Sequence, residues 1–181
     1  MQEIILHIAK TAIKEGFGSH PSSIDKTALY AQYPEFSKPK ATFVTLTLDN
    51  TLRGCIGSLQ AHRTFLEDLI HNAKAAAFDD PRFYPLNPEE FSRVNIEVSI
   101  LSDSELVEYE DVEDLKSKIV AGIDGIILQQ GARKATFLPQ VWEQLPTFEQ
   151  FFSHLCQKAG LEAGCLETHP DIWRYRAQKI R

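Results

Sequence analysis

The sequence predicts an α+β fold built on a mainly antiparallel sheet with flanking helices. Three observations carry that expectation. Ala41–Leu48 and Leu52–Ser58 are rich in strand-forming residues and are joined by the turn Asp49-Asn50-Thr51. Gly125–Gln130 and Arg133–Leu138 repeat that pattern around Gly131-Ala132. Helical stretches fall mostly outside such hairpins, so strand–helix–strand crossovers are in the minority.

From the start, Ile4, Ile5, Ile8, Ala9, Ala12 and Ile13 trace one side of a helix predicted over Gln2–Lys14, stopping before Gly16-Phe17-Gly18. A weaker helix covers Ile24–Tyr33, and Pro34 and Pro39 bound a loop. Thr64-Phe65-Leu66-Glu67 has the spacing of a capping box. The helix it opens carries Phe65, Leu66, Leu69, Ile70, Ala73, Ala76 and Ala77 on one side and ends before Pro81. Asn87-Pro88-Glu89-Glu90 reads as another helix start with proline first. Val94–Leu101 alternates as a strand, with Glu97 on the face of Asn95 and Ser99. Further on come a short strand at Glu105–Tyr109, a helix at Val112–Val120, a helix capped by Thr147 and stopped by Gly160, and a last strand at Trp173–Ile180. The order of the strands in the sheet is not fixed by these patterns.

A chain of 181 residues suits one domain, here 1–181, with two lobes whose boundary the sequence does not mark. The net charge of −6, with acids and bases interspersed, disfavours nucleic-acid backbone, which rewards clustered Lys and Arg. The start resembles no signal peptide, and no apolar run has transmembrane length, so no membrane partner is expected. Cys55, Cys156 and Cys165 are odd in number and irregular in spacing, which argues against a disulfide framework and for a reduced, cytoplasmic setting.

The chemistry concentrates at Leu52-Arg53-Gly54-Cys55-Ile56-Gly57. On an extended strand Arg53, Cys55 and Gly57 share one face, with alternate Cα atoms about 6.6 Å apart. A guanidinium that close favours thiolate over thiol, and Gly57 leaves room for a ligand or another backbone. Cys55 is therefore the candidate catalytic nucleophile, with His62, His71 or Glu97 as possible bases; the competing reading is a packed strand residue. Arg53 and Arg82 suit a clamp on a small anionic molecule, against the alternative of structural pairing with Glu97, Asp79 or Asp80.

Other constellations carry less. His154 and Cys156 lie about 200° apart around a predicted helix, so the set His154, Cys156, Cys165 and His169 does not converge on one metal ion, and His20 before Pro21 stands alone. Gly54-x-x-Gly57 and Gly122-x-x-Gly125 lack the remaining features of phosphate loops. No metal is expected, and no cofactor is indicated.

Several segments together resemble the AMMECR family, also called AmmeMemoRadiSam system protein A. They are Phe43-Val44-Thr45-Leu46, the Leu52–Gly57 run that is the family's hallmark, Asp80-Pro81-Arg82-Phe83-Tyr84-Pro85-Leu86 and Ile96–Leu101. Gly122-Ile123-Asp124-Gly125, Phe137-Leu138-Pro139-Gln140-Val141 and Leu155–Leu161 complete the set. The resemblance implies a main lobe around an antiparallel sheet, a smaller second lobe, and a groove between them lined by the hallmark run. It also implies association with a Memo-like protein and a radical SAM enzyme, and it supplies no established reaction. The candidate site is thus Cys55 as catalytic residue with Arg53, Gly54, Gly57, Arg82 and Glu97 binding a ligand. The function expected is a small-ligand pocket or enzyme-related site; a non-catalytic adaptor for a partner protein is the alternative, and a nucleic-acid-linked regulatory role a weaker one.

Overall fold

Asp49 and Asn50 both adopt left-handed backbone, with φ of 51° and 63°. Short polar side chains tolerate that conformation, and it makes the turn that joins β1 (Thr42–Leu48) to β2 (Thr51–Gly57). The computed structural model describes residues 1–18 and 24–181, so His20 and Pro21 lie outside the described residues. The chain divides into two units, Met1–Leu101 with Gln178–Arg181, and Ser102–Ala177.

In the first unit β1 is the centre of an antiparallel set, paired on one side with β2 and on the other with β3 (Asn95–Leu101). Thr45 faces Cys55 across one ladder and Glu97 across the other. The helices are α1 (Gln2–Gly16), α2 (Lys26–Gln32), α3 (Phe65–Phe78) and the single turn α4 (Pro88–Phe91). Ile5, Ile8 and Ile13 of α1 and Leu66, Leu69 and Ala73 of α3 bury with Val44, Leu46 and Val98 in one core. Their strand partners alternate along each strand, so one sheet face is apolar, as period-2 patterning requires.

A buried polar cluster aligns α3 with the sheet. Asp68 accepts from the Thr42 backbone N–H and hydroxyl, both at 2.8 Å, from the Ser58 hydroxyl at 2.6 Å and from Asn72 Nδ2 at 2.9 Å. A carboxylate this deep persists because every lone pair has a donor. Gly54 completes the fit: a β-carbon there would overlap the Ala76 carbonyl oxygen of α3.

The ladder between β1 and β2 has one irregularity. Leu46 faces Gly54, whereas Thr47 faces Leu52, so Arg53 is an extra residue without a partner on β1. Strict alternation therefore does not run through Arg53, and its placement on the face of Cys55 cannot be taken from strand period alone.

The second unit contains β4 (Glu105–Leu106), β5 (Asp124–Gln130), β6 (Arg133–Phe137) and β7 (Asp171–Ile180), of which the last three β7 residues belong to the first unit. β5 pairs antiparallel with β6 and β7, and β4 with β7. Two helices, α5 (Val112–Lys118) and α6 (Phe148–Lys158), accompany them. Leu115, Ile126, Leu128, Phe151, Phe152, Leu155 and Ile172 form the core, with Trp142 stacked on Phe151 at 3.8 Å. The fold is α+β with antiparallel strand pairing, as the hairpins predict.

One expectation is corrected. Cys156 and Cys165 are joined by a disulfide, leaving Cys55 as the free cysteine. Gly160, at φ 73°, ends α6, and the chain returns to place the two Cα atoms 5.8 Å apart. Nine residues of separation close that loop, which spacing counted along the sequence does not reveal.

Candidate functional site

β2 has β1 on one side only within its unit, so the outward backbone groups of Cys55 need other partners. They find them in the segment after α3. Asp80 Oδ2 accepts the Cys55 N–H at 2.8 Å, and Arg82 Nη2 donates to the Cys55 carbonyl at 3.2 Å. Arg82 also donates to Asp80 from its backbone N at 3.1 Å, from Nε at 2.9 Å and from Nη2 at 2.7 Å. An aspartate and an arginine two residues apart thus close on the Cys55 peptide groups as a neighbouring strand would. Pro81 between them keeps Asp80 out of helical geometry just where α3 ends. The Leu86 N–H bonds Ala77 O at 2.8 Å, tying the segment back to the helix.

Electrostatics match this geometry. The hydrogen bond from Arg82 holds the Asp80 carboxyl far below the usual carboxylate range, burial opposing and the Cys55 and Arg82 N–H groups assisting. The Arg82 guanidinium is raised, chiefly by its hydrogen bond to Asp80, with a smaller attraction to the Cys55 sulfur. The Cys55 side chain is half-buried, and its Sγ lies 3.3 Å from Thr45 Oγ1.

Arg53 is committed elsewhere. It grips Glu90 bidentately, Nε to Oε1 at 2.9 Å and Nη2 to Oε2 at 2.8 Å, and Nη2 also donates to Tyr84 O at 3.0 Å. Glu90 is held in turn by the capping box of α4, accepting from Asn87 N at 3.2 Å. Hydrogen bonding to Arg53 lowers the Glu90 carboxyl, and the same bond raises Arg53. Both guanidiniums also lie near the Phe83 ring, at 5.8 Å for Arg53 and 5.5 Å for Arg82.

Arg53, Arg82 and Cys55 are therefore brought to one corner, with each arginine already neutralised by a carboxylate. Glu97 pairs with Arg181 and, at 3.9 Å, with Lys179, rather than with Arg53. Gly57 is covered, since a β-carbon there would overlap the Phe43 ring, and Gly54 abuts α3. No hydrogen bond joins His62 or His71 to the Cys55 sulfur among the described residues; Thr45 is its partner. Glu90 was legible only as part of a helix start, and nothing in the spacing pointed it at Arg53. Of the four weighed metal donors, Cys156 and Cys165 are spent on each other, His154 Nδ1 sits 2.9 Å from Gln150 O, and His169 stacks on Tyr109. Among the described residues no helix is long and apolar enough to cross a membrane.

A model of the AMMECR1 family matches residues 6–180. The chain belongs to the AMMECR1 family. A relative from Methanothermobacter thermautotrophicus is 35% identical over 96% of this chain and 90% of its own length. One from Methanocaldococcus jannaschii is 36% identical over 86% of this chain and 76% of its own. The crystal structure of an uncharacterized protein from Pyrococcus horikoshii is similar with a TM-score of 0.83 at 33% identity, covering 98% of this chain and 89% of that one. The AMMECR1 match takes in both the Leu52–Gly57 run and the Asp80–Arg82 pair that holds it.

Proposed function

We propose that this chain carries a thiol site at Cys55 for a small carbonyl-bearing molecule, working alongside a Memo-like protein and a radical SAM enzyme as the family resemblance implies. The observation that carries the reading is the seizure of both backbone groups of Cys55 by Asp80 and Arg82. Such a hold fixes the backbone that carries the thiol, Thr45 Oγ1 contacts the sulfur, and Arg82, though paired with Asp80, stands next to the Cys55 peptide. In the step envisaged, the sulfur lone pair forms a C–S bond to the carbonyl carbon. The carbonyl π pair moves to oxygen, which takes a proton from solvent, leaving a reversible hemithioacetal. The anion-clamp role of Arg53 and Arg82 requires a ligand to displace Glu90 or Asp80, so charge binding is secondary to thiol chemistry.

Alkylation of the purified protein with iodoacetamide tests the reading. Cys55 is expected to react faster than a free thiol at neutral pH, and Arg82→Ala to slow it at least about threefold. Reaction at the rate of free cysteine, unchanged in Arg82→Ala, sinks the proposal.

The adaptor reading retains one specific support. Tyr84 is 91% exposed while its carbonyl is held by Arg53, and Leu52 beside Arg53 is also exposed. An aromatic side chain kept in water on a carbonyl-anchored loop suits an anchor for a partner protein. Tyr84→Ala abolishing co-purification with a Memo-like or radical SAM protein, with Cys55→Ala leaving it intact, selects this reading over the first.

A further inference from the structure

The second unit holds a cavity of about 300 Å³ lined by Asp124, Arg174, Tyr175, Arg176, Ser102 and Glu105, at the lower end of small-molecule sites. Its walls are fixed by the backbone. Asp124 opens β5 opposite Arg176 of β7, and its carbonyl accepts from Trp142 Nε1 at 2.8 Å. Ser102 Oγ accepts the Arg176 N–H at 2.9 Å, while the Ser102 N–H donates to Arg176 O at 2.8 Å. The Tyr175 ring lies over Gly125, where a β-carbon would meet it.

Two groups in this cavity are left with hydrogen-bonding capacity. Asp124 is 1% exposed; its Oδ2 accepts from Val120 N at 2.9 Å, while Oδ1 is ion-paired with Arg176 Nε at 3.7 Å and accepts no hydrogen bond among the described residues. Arg174 is engaged with Lys118 O at 3.1 Å and Glu105 at 3.4 Å, whereas the Nη groups of Arg176 have no hydrogen bond among the described residues. A carboxylate oxygen without a hydrogen bond and a guanidinium with free Nη donors therefore stand side by side as a loose ion pair. A carboxylate oxygen held only by a long ion pair takes a closer donor, best a cation. The fork asks for an adjacent acceptor, best a carboxylate. A purely anionic ligand would meet Asp103, Glu105 and Asp124, and a purely cationic one would meet Arg174 and Arg176.

We propose that this cavity binds a free α-amino acid, its ammonium on Asp124 Oδ1 and its carboxylate on Arg176. The class follows from the adjacency of opposite charges: only a zwitterion with neighbouring ammonium and carboxylate answers both groups within so short a span. This site is independent of the chemistry assigned to Cys55.

Isothermal titration of the full chain with the free proteinogenic amino acids, with ethylamine and acetate as half-ligands, tests it. At least one amino acid is expected to bind more tightly than either half-ligand. Asp124→Asn keeps the acceptor for Val120 N–H and is expected to weaken binding at least about tenfold, Arg176→Ala about threefold or more. Arg176 is solvent-facing, so its variant folds whether or not Asp124→Asn does. Absence of binding by every amino acid at millimolar concentration overturns the proposal. So does equal binding of ethylamine, or a titration that neither variant alters.

Discussion

Asp80 and Asp124 are both buried carboxylates, one in each unit, and they differ in how far the protein has used them. Asp80 receives four donor groups, the Cys55 and Arg82 N–H and two nitrogens of the Arg82 guanidinium. Asp124 receives one hydrogen bond, from Val120, with Arg176 held off at 3.7 Å. A carboxylate whose lone pairs are filled is a lock, holding one strand to one loop. One with an open oxygen beside an unspent cation retains capacity for something else. Burial alone does not separate the two roles; the count of donors does.

Removing the lock should produce the largest effect. Asp80→Ala is expected to lower the unfolding free energy by about 3 kcal/mol in urea titration, because Arg82 and the Cys55 N–H lose their partner together. A loss under about 1 kcal/mol would reduce the lock to a surface contact. The pH dependence sharpens this. The folded carboxyl of Asp80 is lowered, so its stabilisation is complete above the unfolded pKa, about 4, and is lost as pH falls through the folded value. The stability gap between the protein and Asp80→Asn should therefore be constant near neutrality and shrink below about pH 4. A gap that persists at lower pH contradicts the charge-based account.

The second unit has its own tie in the Cys156–Cys165 disulfide. By loop length, Cys165→Ser is expected to cost about 2–3 kcal/mol. Hydrogen exchange should locate that loss in α6 and β5 while the amides around Asp68 in the first unit stay protected. Uniform acceleration across both units would show that the two unfold together. Arg53→Ala comes next at about 1–2 kcal/mol, since Glu90 keeps its capping bonds to Asn87. Asp124→Asn should be nearly silent in stability, within about 0.5 kcal/mol, because the Val120 cap survives. A cost as large as that of Asp80→Ala would erase the distinction between the two carboxylates.

Much of the frame was legible from residue pattern. The caps at Thr64, Asn87 and Thr147 accept the expected backbone N–H groups, and the turns at Asp49-Asn50 and Gly131 sit where predicted. Most boundaries moved by a residue or two, as with α1 reaching Gly16 and β2 beginning at Thr51, while the strand expected over Glu105–Tyr109 shortens to Glu105–Leu106. Proximity was harder to read than pattern. Arg82 meets the Cys55 peptide while Arg53 turns to Glu90, and alternation fails at Arg53 because an unpaired residue interrupts the ladder. Residue type makes Glu97 a candidate partner of Arg53, yet its charge is met by residues at the far end of the chain.

What the amino-acid order determined by itself is local: which stretches curl, which extend, where they turn, and that Cys55 sits between glycines on a strand. Those outcomes depend on side-chain period, caps and backbone sterics within a few residues. Which carboxylate closes on which arginine, which two cysteines join, and which buried oxygen is left open were decided only in the folded chain. Each of these depends on distances between groups far apart in sequence, set by how helices and strands pack, and no count along the chain contains them.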